Sequence, residues 1–510
     1  MKRTILKQVG YAVLMSGVLF LGACDDKNND DPKPPSPPKP EETVSAKVQY
    51  QNEFAEFLMT NYYLWNNEAQ QVITSQKLST KTEKSPVKFY EKLVHQDDKW
   101  SFMTENVKSL NQEFSGTTTT FGHSLALGQF VDAASKPTGD LFAIVQFVYP
   151  NSPAEIAGLK RGDILLKING ENITTSNYTE LFYATMPLEI GLGVRTEQGL
   201  SLKGGAPIAM TAVEMYEDPI IHHSVIEKGG KKIGYLFYTD YLLDVNPNDS
   251  QPLLDLANVF HGFQSAGVDE VILDLRYNGG GYALTSQYLC NLLAPRSALD
   301  RRDVMTIQKW NNILDREVGQ ATTYGHSVRR SAELEIPVSV NMNLSRLYVL
   351  TSSQTASASE STMVGLKPYL DLVQIGTNTS GKYCGGIVFD REIIDGAKAP
   401  EMWRALDNLG AYTMVYRFTN KNNDVFVNGF TPQYDGIRES VWELYPIGNE
   451  NDPLLGKALE LITGIPTESK STKSTDNMTF MPIPNAPSKT NRLDGKMIDT
   501  RSLDRIREIQ

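Results

Sequence analysis

The chain has 510 residues, with 60 acidic against 49 basic side chains and a formal net charge of −11 at pH 7. An acid-rich chain without a basic block is a poor partner for nucleic acid or anionic lipid, both of which reward clustered Lys and Arg. Three cysteines are too few for a disulfide framework, so ordinary apolar cores must hold the roughly 420 residues between 45 and 464, enough for two to four domains.

Residues 1–23 read as a signal peptide: Lys2, Arg3 and Lys7 precede an apolar run from about Tyr11 to Leu21 that is too short to cross a bilayer. The ending Leu21-Gly22-Ala23-Cys24 resembles the bacterial lipobox, which implies export and lipidation of Cys24. The expected location is the cell envelope, on the outer membrane's periplasmic or surface side, with a lipid anchor as the only membrane contact. Cys290 and Cys384 then remain, and whether they pair is open. Residues 24–44 combine acids, Asn and six prolines, a linker composition that cannot bury apolar area.

Residues 45–113 predict a small helical region. Phe54, Phe57, Leu58, Tyr62 and Trp65 recur at helical spacing over 46–72, and a second helix covers about Val87 to Val94 before a turn at 97–103. An aromatic stripe of this kind is expected to pack, and the region's role is expected to be structural.

Over 114–215 the pattern changes to short β-type runs at 124–127, 141–148 and 164–168. In the intervening NSPAEIAGLKRGDILLKINGENI, Ser152 can cap a helix with Pro153 at its first position, Gly158 can end it, and Asn169-Gly170 signals a hairpin. This order resembles a bacterial, protease-associated PDZ domain. The resemblance implies peptide binding by strand addition, with a carboxylate loop near Phe121, Gly122, His123, Ser124 and Leu125 and a groove helix near Ser176 to Met186.

Residues 216–464 alternate strand and helix patterns, which argues for a layered α/β core. Residues 465–510 read as a polar, mobile C-terminal tail. Two glycine-rich stretches follow apolar strands: DLRYNGGGY at 274–282, where backbone N–H groups can point into a cavity, and GTNTSGK at 376–382. The second imitates a phosphate-binding loop, but Tyr383 stands where magnesium would need a Ser or Thr. The string TSSQTASASE at 351–360 carries five hydroxyls and one acid.

Together with the PDZ-like segment and the helical start, these three motifs resemble the carboxyl-terminal processing (tail-specific) peptidases of serine protease family S41. The resemblance covers roughly 45–464 and implies a multi-domain α/β chain whose catalytic core is a crotonase- and ClpP-like α/β spiral. It maps a serine–lysine dyad onto Ser357 and Lys382. Serine is a poor nucleophile without a base, and a lysine serves as base only if burial lowers its pKa. The Ala358 amide, with that of Gly280 and with Gly279 as a further candidate, would face the oxyanion; Ser359 and Glu360 would cap and orient the helix start. Many family members carry a glutamine four residues after the lysine to orient it, whereas this chain has Gly386.

No cofactor is implied. The chain lacks HExxH, and the adjacent His222 and His223 would point to opposite faces of a strand, so no metal is expected. The expected activity is endopeptidase cleavage of envelope or unfolded polypeptides presented by their C-terminal tails. Its rivals are an inactive S41-like lipoprotein that holds a peptide or apolar ligand, and an acyl hydrolase acting on small esters or amides.

Overall fold

The computed structural model describes residues 43–467, apart from 133, 198, 245, 247, 316–317, 319–320 and 332, and then 481–483, 487–489, 495–500, 503 and 506–507. The signal-peptide and lipobox readings, with Cys24, fall outside the described residues.

The N-terminal stretch forms helices Ala46–Asn61, Asn66–Gln76, Pro86–Leu93 and Val107–Phe114. The single helix expected over 46–72 is interrupted at Tyr62–Trp65 because the core claims its backbone: the Leu64 N–H donates to the Met414 carbonyl, and Asn311 Nδ2 donates to the carbonyls of Asn61 and Tyr63. Tertiary bonding outweighs helical propensity here. Phe54, Leu58, Tyr63 and Phe89 belong to the same core as Leu236, Leu273 and Tyr412, so these helices share the core of the α/β region.

A second core, from Phe121 to Met210, lies within a seven-stranded antiparallel sheet whose main path begins at the edge strand His123–Val131. Its local signals act as the sequence suggests. Ser152 Oγ accepts the Glu155 N–H at 3.1 Å with Pro153 in the first turn, and Asn169 and Gly170 take φ of 50° and 83° in the hairpin turn. The groove helix is shorter than the expected span, Glu180–Tyr183.

The α/β region contains a six-stranded sheet in which Lys231–Tyr238, Glu270–Asp274, Arg346–Thr351 and Asp371–Gly376 run parallel as neighbours. The three sequence motifs leave the carboxyl ends of three adjacent strands, where open α/β sheets place their sites. Facing them, a second sheet contains Cys384–Phe389 antiparallel to Gly410–Thr419. Cys290 and Cys384 are both buried and unpaired.

The expected free tail needs correction for its described residues. Pro482 forms an antiparallel bridge with Gly128, and Lys496–Ile498 is a strand between Gly280–Tyr282 and Cys384–Phe389. Its polar composition hides the anchors Ile483, Met497, Ile498 and Ile506, which pack against the two cores.

Candidate active site

Ser357 is the N-cap of the helix Ala358–Leu366 and has φ 61°, ψ −110°. A side chain in that region costs of order 1–3 kcal/mol, so the surrounding structure must hold it there. The Asn278 carbonyl accepts the Ala356 N–H, Thr355 Oγ1 donates to the Leu275 carbonyl at 2.8 Å, and Ser359 Oγ donates to Asn278 Oδ1 at 2.9 Å. Asn278 is itself fixed by its own Nδ2 donating to the Tyr238 carbonyl at 3.0 Å. The serine turn is therefore stitched to the glycine loop through the backbone carbonyls of Leu275 and Asn278 and the Asn278 side chain. Ser357 Oγ is buried and has no hydrogen-bond partner among the described residues.

Glu360 joins the serine turn to the lysine loop. One carboxylate oxygen accepts the N–H groups of Ser357 at 2.9 Å and Lys382 at 2.8 Å; the other accepts Thr379 Oγ1 and the Gly381 N–H, both at 2.6 Å. Burial raises its pKa, and these four donors oppose that rise. Ser359, expected to cap the helix, instead bonds to Asn278.

Lys382 is completely buried, and the polar partner of its Nζ among the described residues is a hydroxyl and not a carboxylate. Nζ donates to the Tyr412 hydroxyl at 3.2 Å and lies 5.1 Å from the Trp100 ring centre. Burial drives its pKa well below the ordinary lysine value, and the nearby Lys496 ammonium adds to the shift. The pair's main chains are held together by Glu360, while Ser357 Oγ itself makes no hydrogen bond; such bonds often tighten only when a substrate is bound.

The candidate oxyanion donors are not all free. The Ala358 N–H is the first in its helix and so has no intrahelical partner, whereas the Gly280 N–H donates to Asn278 Oδ1 at 2.9 Å. Gly280 has φ 113°, and a Cβ there would lie 2.7 Å from Ser357 Cβ, so only glycine allows this approach.

In the β-rich domain, His123 and Ser124 turn their side chains inward. His123 is wholly buried between Phe121 and Phe182, and Ser124 Oγ donates to Gln146 Oε1 at 2.8 Å. The Gly122 N–H is taken by Thr120 Oγ1 at 3.0 Å, while the Leu125 N–H donates to the Ser488 carbonyl at 2.8 Å. A cavity of about 670 Å³ between this domain and the α/β region is lined by Gln146, Arg276, Tyr277, Gln354 and Glu439 but excludes Ser357 and Lys382.

Sequence reasoning missed Asn278, Trp100 and Tyr412. Asn278 lies within a motif already singled out. Trp100 and Tyr412 are far from it in sequence, in a turn and an ordinary apolar strand, and nothing local marks them.

Residues 232–399 match the model of peptidase family S41, and residues 144–184 match that of the PDZ domain. A Picosynechococcus carboxyl-terminal-processing protease is 26% identical over 335 residues, covering 64% of this chain and 68% of that protein. A Staphylococcus aureus protein described as a CtpA-like serine protease is 26% identical over 246 residues; the match covers 48% of this chain but only 42% of that relative. A crystal structure of an assigned S41 protease from Bacteroides fragilis superposes with a TM-score of 0.62 at 26% identity, covering 81% of this chain and 98% of that one. The chain therefore carries an S41-type peptidase segment at 232–399, with a PDZ segment at 144–184 ahead of it.

Proposed function

We propose that this protein is an exported serine endopeptidase of the C-terminal-processing type, anchored through Cys24, with Ser357 as nucleophile and Lys382 as general base. The observation that carries this reading is a buried lysine, bonded through Nζ to a hydroxyl, whose main chain shares one Glu360 oxygen with a strained serine. A neutral Lys382 can accept the Ser357 proton as Oγ attacks the scissile carbonyl carbon. The oxyanion meets the Ala358 N–H first; the Gly280 N–H joins only after leaving Asn278 Oδ1. Protonated Lys382 then gives its proton to the leaving amine. In deacylation Lys382 takes a proton from water attacking the same carbonyl; the tetrahedral intermediate then breaks its bond to Ser357 Oγ, which receives that proton from Lys382, and the product leaves as the acid.

Tyr412 takes the orienting role that a glutamine has in many relatives, since its hydroxyl is bonded to Lys382 Nζ. The PDZ edge strand His123–Val131 collects the extended C-terminal stretch of a polypeptide by strand addition. The test is cleavage of an unfolded protein with a free C-terminus by wild type, Ser357→Ala and Lys382→Ala. Loss in both variants with folding retained supports the reading; cleavage surviving in Ser357→Ala overturns it.

A further inference from the structure

The described residues of the C-terminal segment lie against both sites. Met481–Ile483 lie antiparallel to the PDZ edge strand: the Gln129 N–H donates to the Met481 carbonyl at 3.0 Å, and the Ile483 N–H to the Leu127 carbonyl at 3.3 Å. Pro482, which has no N–H to give, sits opposite Gly128 at a position where no ladder bond is required. Ile483 packs against the PDZ core, and Ser488 accepts the Leu125 N–H. The segment therefore approaches the predicted carboxylate loop in the direction a ligand's C-terminus would take.

It does not end there. Lys489 Nζ is buried against Asp240, at 2.8 and 2.9 Å from the two carboxylate oxygens. A fully buried ion pair is costly to desolvate, so it fixes position more than it adds stability. Beyond it, the Gly495 N–H donates to the Gly279 carbonyl at 2.8 Å, and Lys496, Met497 and Ile498 run parallel to Gly280, Gly281 and Tyr282. The Lys496 carbonyl lies 2.7 Å from where a Gly280 Cβ would be, the same distance as Ser357 Cβ. Met497 is bound through both backbone groups by the Tyr412 hydroxyl, which donates to its carbonyl at 2.8 Å and accepts its N–H at 3.1 Å. That hydroxyl also holds Lys382. With this strand in place Ser357 and Lys382 have no solvent exposure.

We propose that residues 481–483, 487–489 and 495–499 act as a strap that fills the substrate path in cis, the first two stretches occupying the PDZ edge and the third the Ser357–Lys382 cleft. The occupant it yields to is the extended, apolar C-terminal stretch of a polypeptide. Such a stretch competes for the edge strand, frees 481–483, and loosens 495–499 from the cleft. Binding at the PDZ domain is thereby coupled to opening of the active site, because one covalent segment bridges both. The proposal rests on the peptidase reading of Ser357.

The test uses the full chain with Gln129→Cys and Met481→Cys, which face each other across the added strand. Oxidation locks the strap onto the PDZ edge, reduction releases it, and matched thermal unfolding in the two states controls for folding. Acylation of Ser357 by a serine-directed probe is followed with and without a synthetic peptide of the sequence of residues 481–489, with Ser357→Ala as the blank. The expected result is at least about a tenfold faster acylation in the reduced protein when the peptide is added, and no acceleration in the oxidised protein. Equal rates in both states, with or without peptide, overturn the strap while leaving the peptidase reading intact. Absence of acylation in both states at every pH overturns the peptidase reading and the strap with it.

Discussion

The Tyr412 ring stands where a side chain at position 386 would begin: a Cβ on Gly386 would lie 2.6 and 2.7 Å from Tyr412 Cε2 and Cζ, and 2.5 Å from Met414 Cε. The glycine is thus the condition for Tyr412 to bring its hydroxyl to Lys382 Nζ. Tyr412 reaches the lysine from the strand Gly410–Thr419, which runs antiparallel to Cys384–Phe389.

Tyr412→Phe keeps the ring and removes the hydroxyl's bond to Lys382 together with its two bonds to the Met497 backbone. The expected outcome is a kcat lower by about 10–100-fold with little change in KM, because a base that is less well placed still has the same pocket. A purely structural tyrosine would leave the pH profile of acylation unmoved, whereas loss of the bond to Lys382 shifts it. Gly386→Gln in the otherwise intact chain is expected to destabilise the fold, since the new side chain meets the Tyr412 ring.

Glu360→Gln puts an amide in a place surrounded by four donors. One side-chain nitrogen must then face N–H or O–H groups that have nothing to bond to. The expected cost is about 3 kcal/mol in stability, read by denaturant unfolding, with acylation of Ser357 lost more than proportionately because both loops lose register.

Lys382→Met should raise stability while abolishing cleavage. A lysine whose folded pKa is lowered is penalised wherever the unfolded chain would be protonated, so the wild type is destabilised at neutral pH and gains stability as pH rises toward the ordinary lysine range. Methionine removes that penalty, and a rise of a few degrees in the thermal midpoint at pH 7 is expected.

His123 gives the PDZ domain an acid limit. Burial lowers its pKa to about 4, and neither ring nitrogen has a partner among the described residues. The stability of the neutral form is fully present above about pH 6.5 and is lost as pH falls from there toward 4, amounting to about 3 kcal/mol. His123→Phe, which keeps an aromatic ring between Phe121 and Phe182, is expected to flatten this dependence in amide hydrogen exchange of the domain.

Much of this was legible in the sequence because local rules and tertiary structure agree. The Ser152–Pro153 cap, the Asn169-Gly170 turn and the apolar strands before each glycine loop stand where their residues put them. Legibility fails where distant chain decides. The helix expected through Tyr62 stops because Met414 and Asn311 bond its backbone, and the N-terminal region, read as structural, places Trp100 over Lys382. The tail's composition suggested a free polymer, yet a few apolar residues and one buried ion pair at Lys489 hold its described parts down. Composition averages over a segment, whereas docking depends on individual anchors.

The central claim is tested most directly by the rate of Ser357 acylation as a function of pH, measured by mass spectrometry of the labelled peptide in wild type and Lys382→Arg. The expected wild-type rate rises as pH passes upward through a lysine pKa well below the ordinary range and then levels, with no such rise in the arginine variant, which stays protonated. A wild-type rate that climbs only near the ordinary lysine value, or is unchanged in Lys382→Arg, would contradict it.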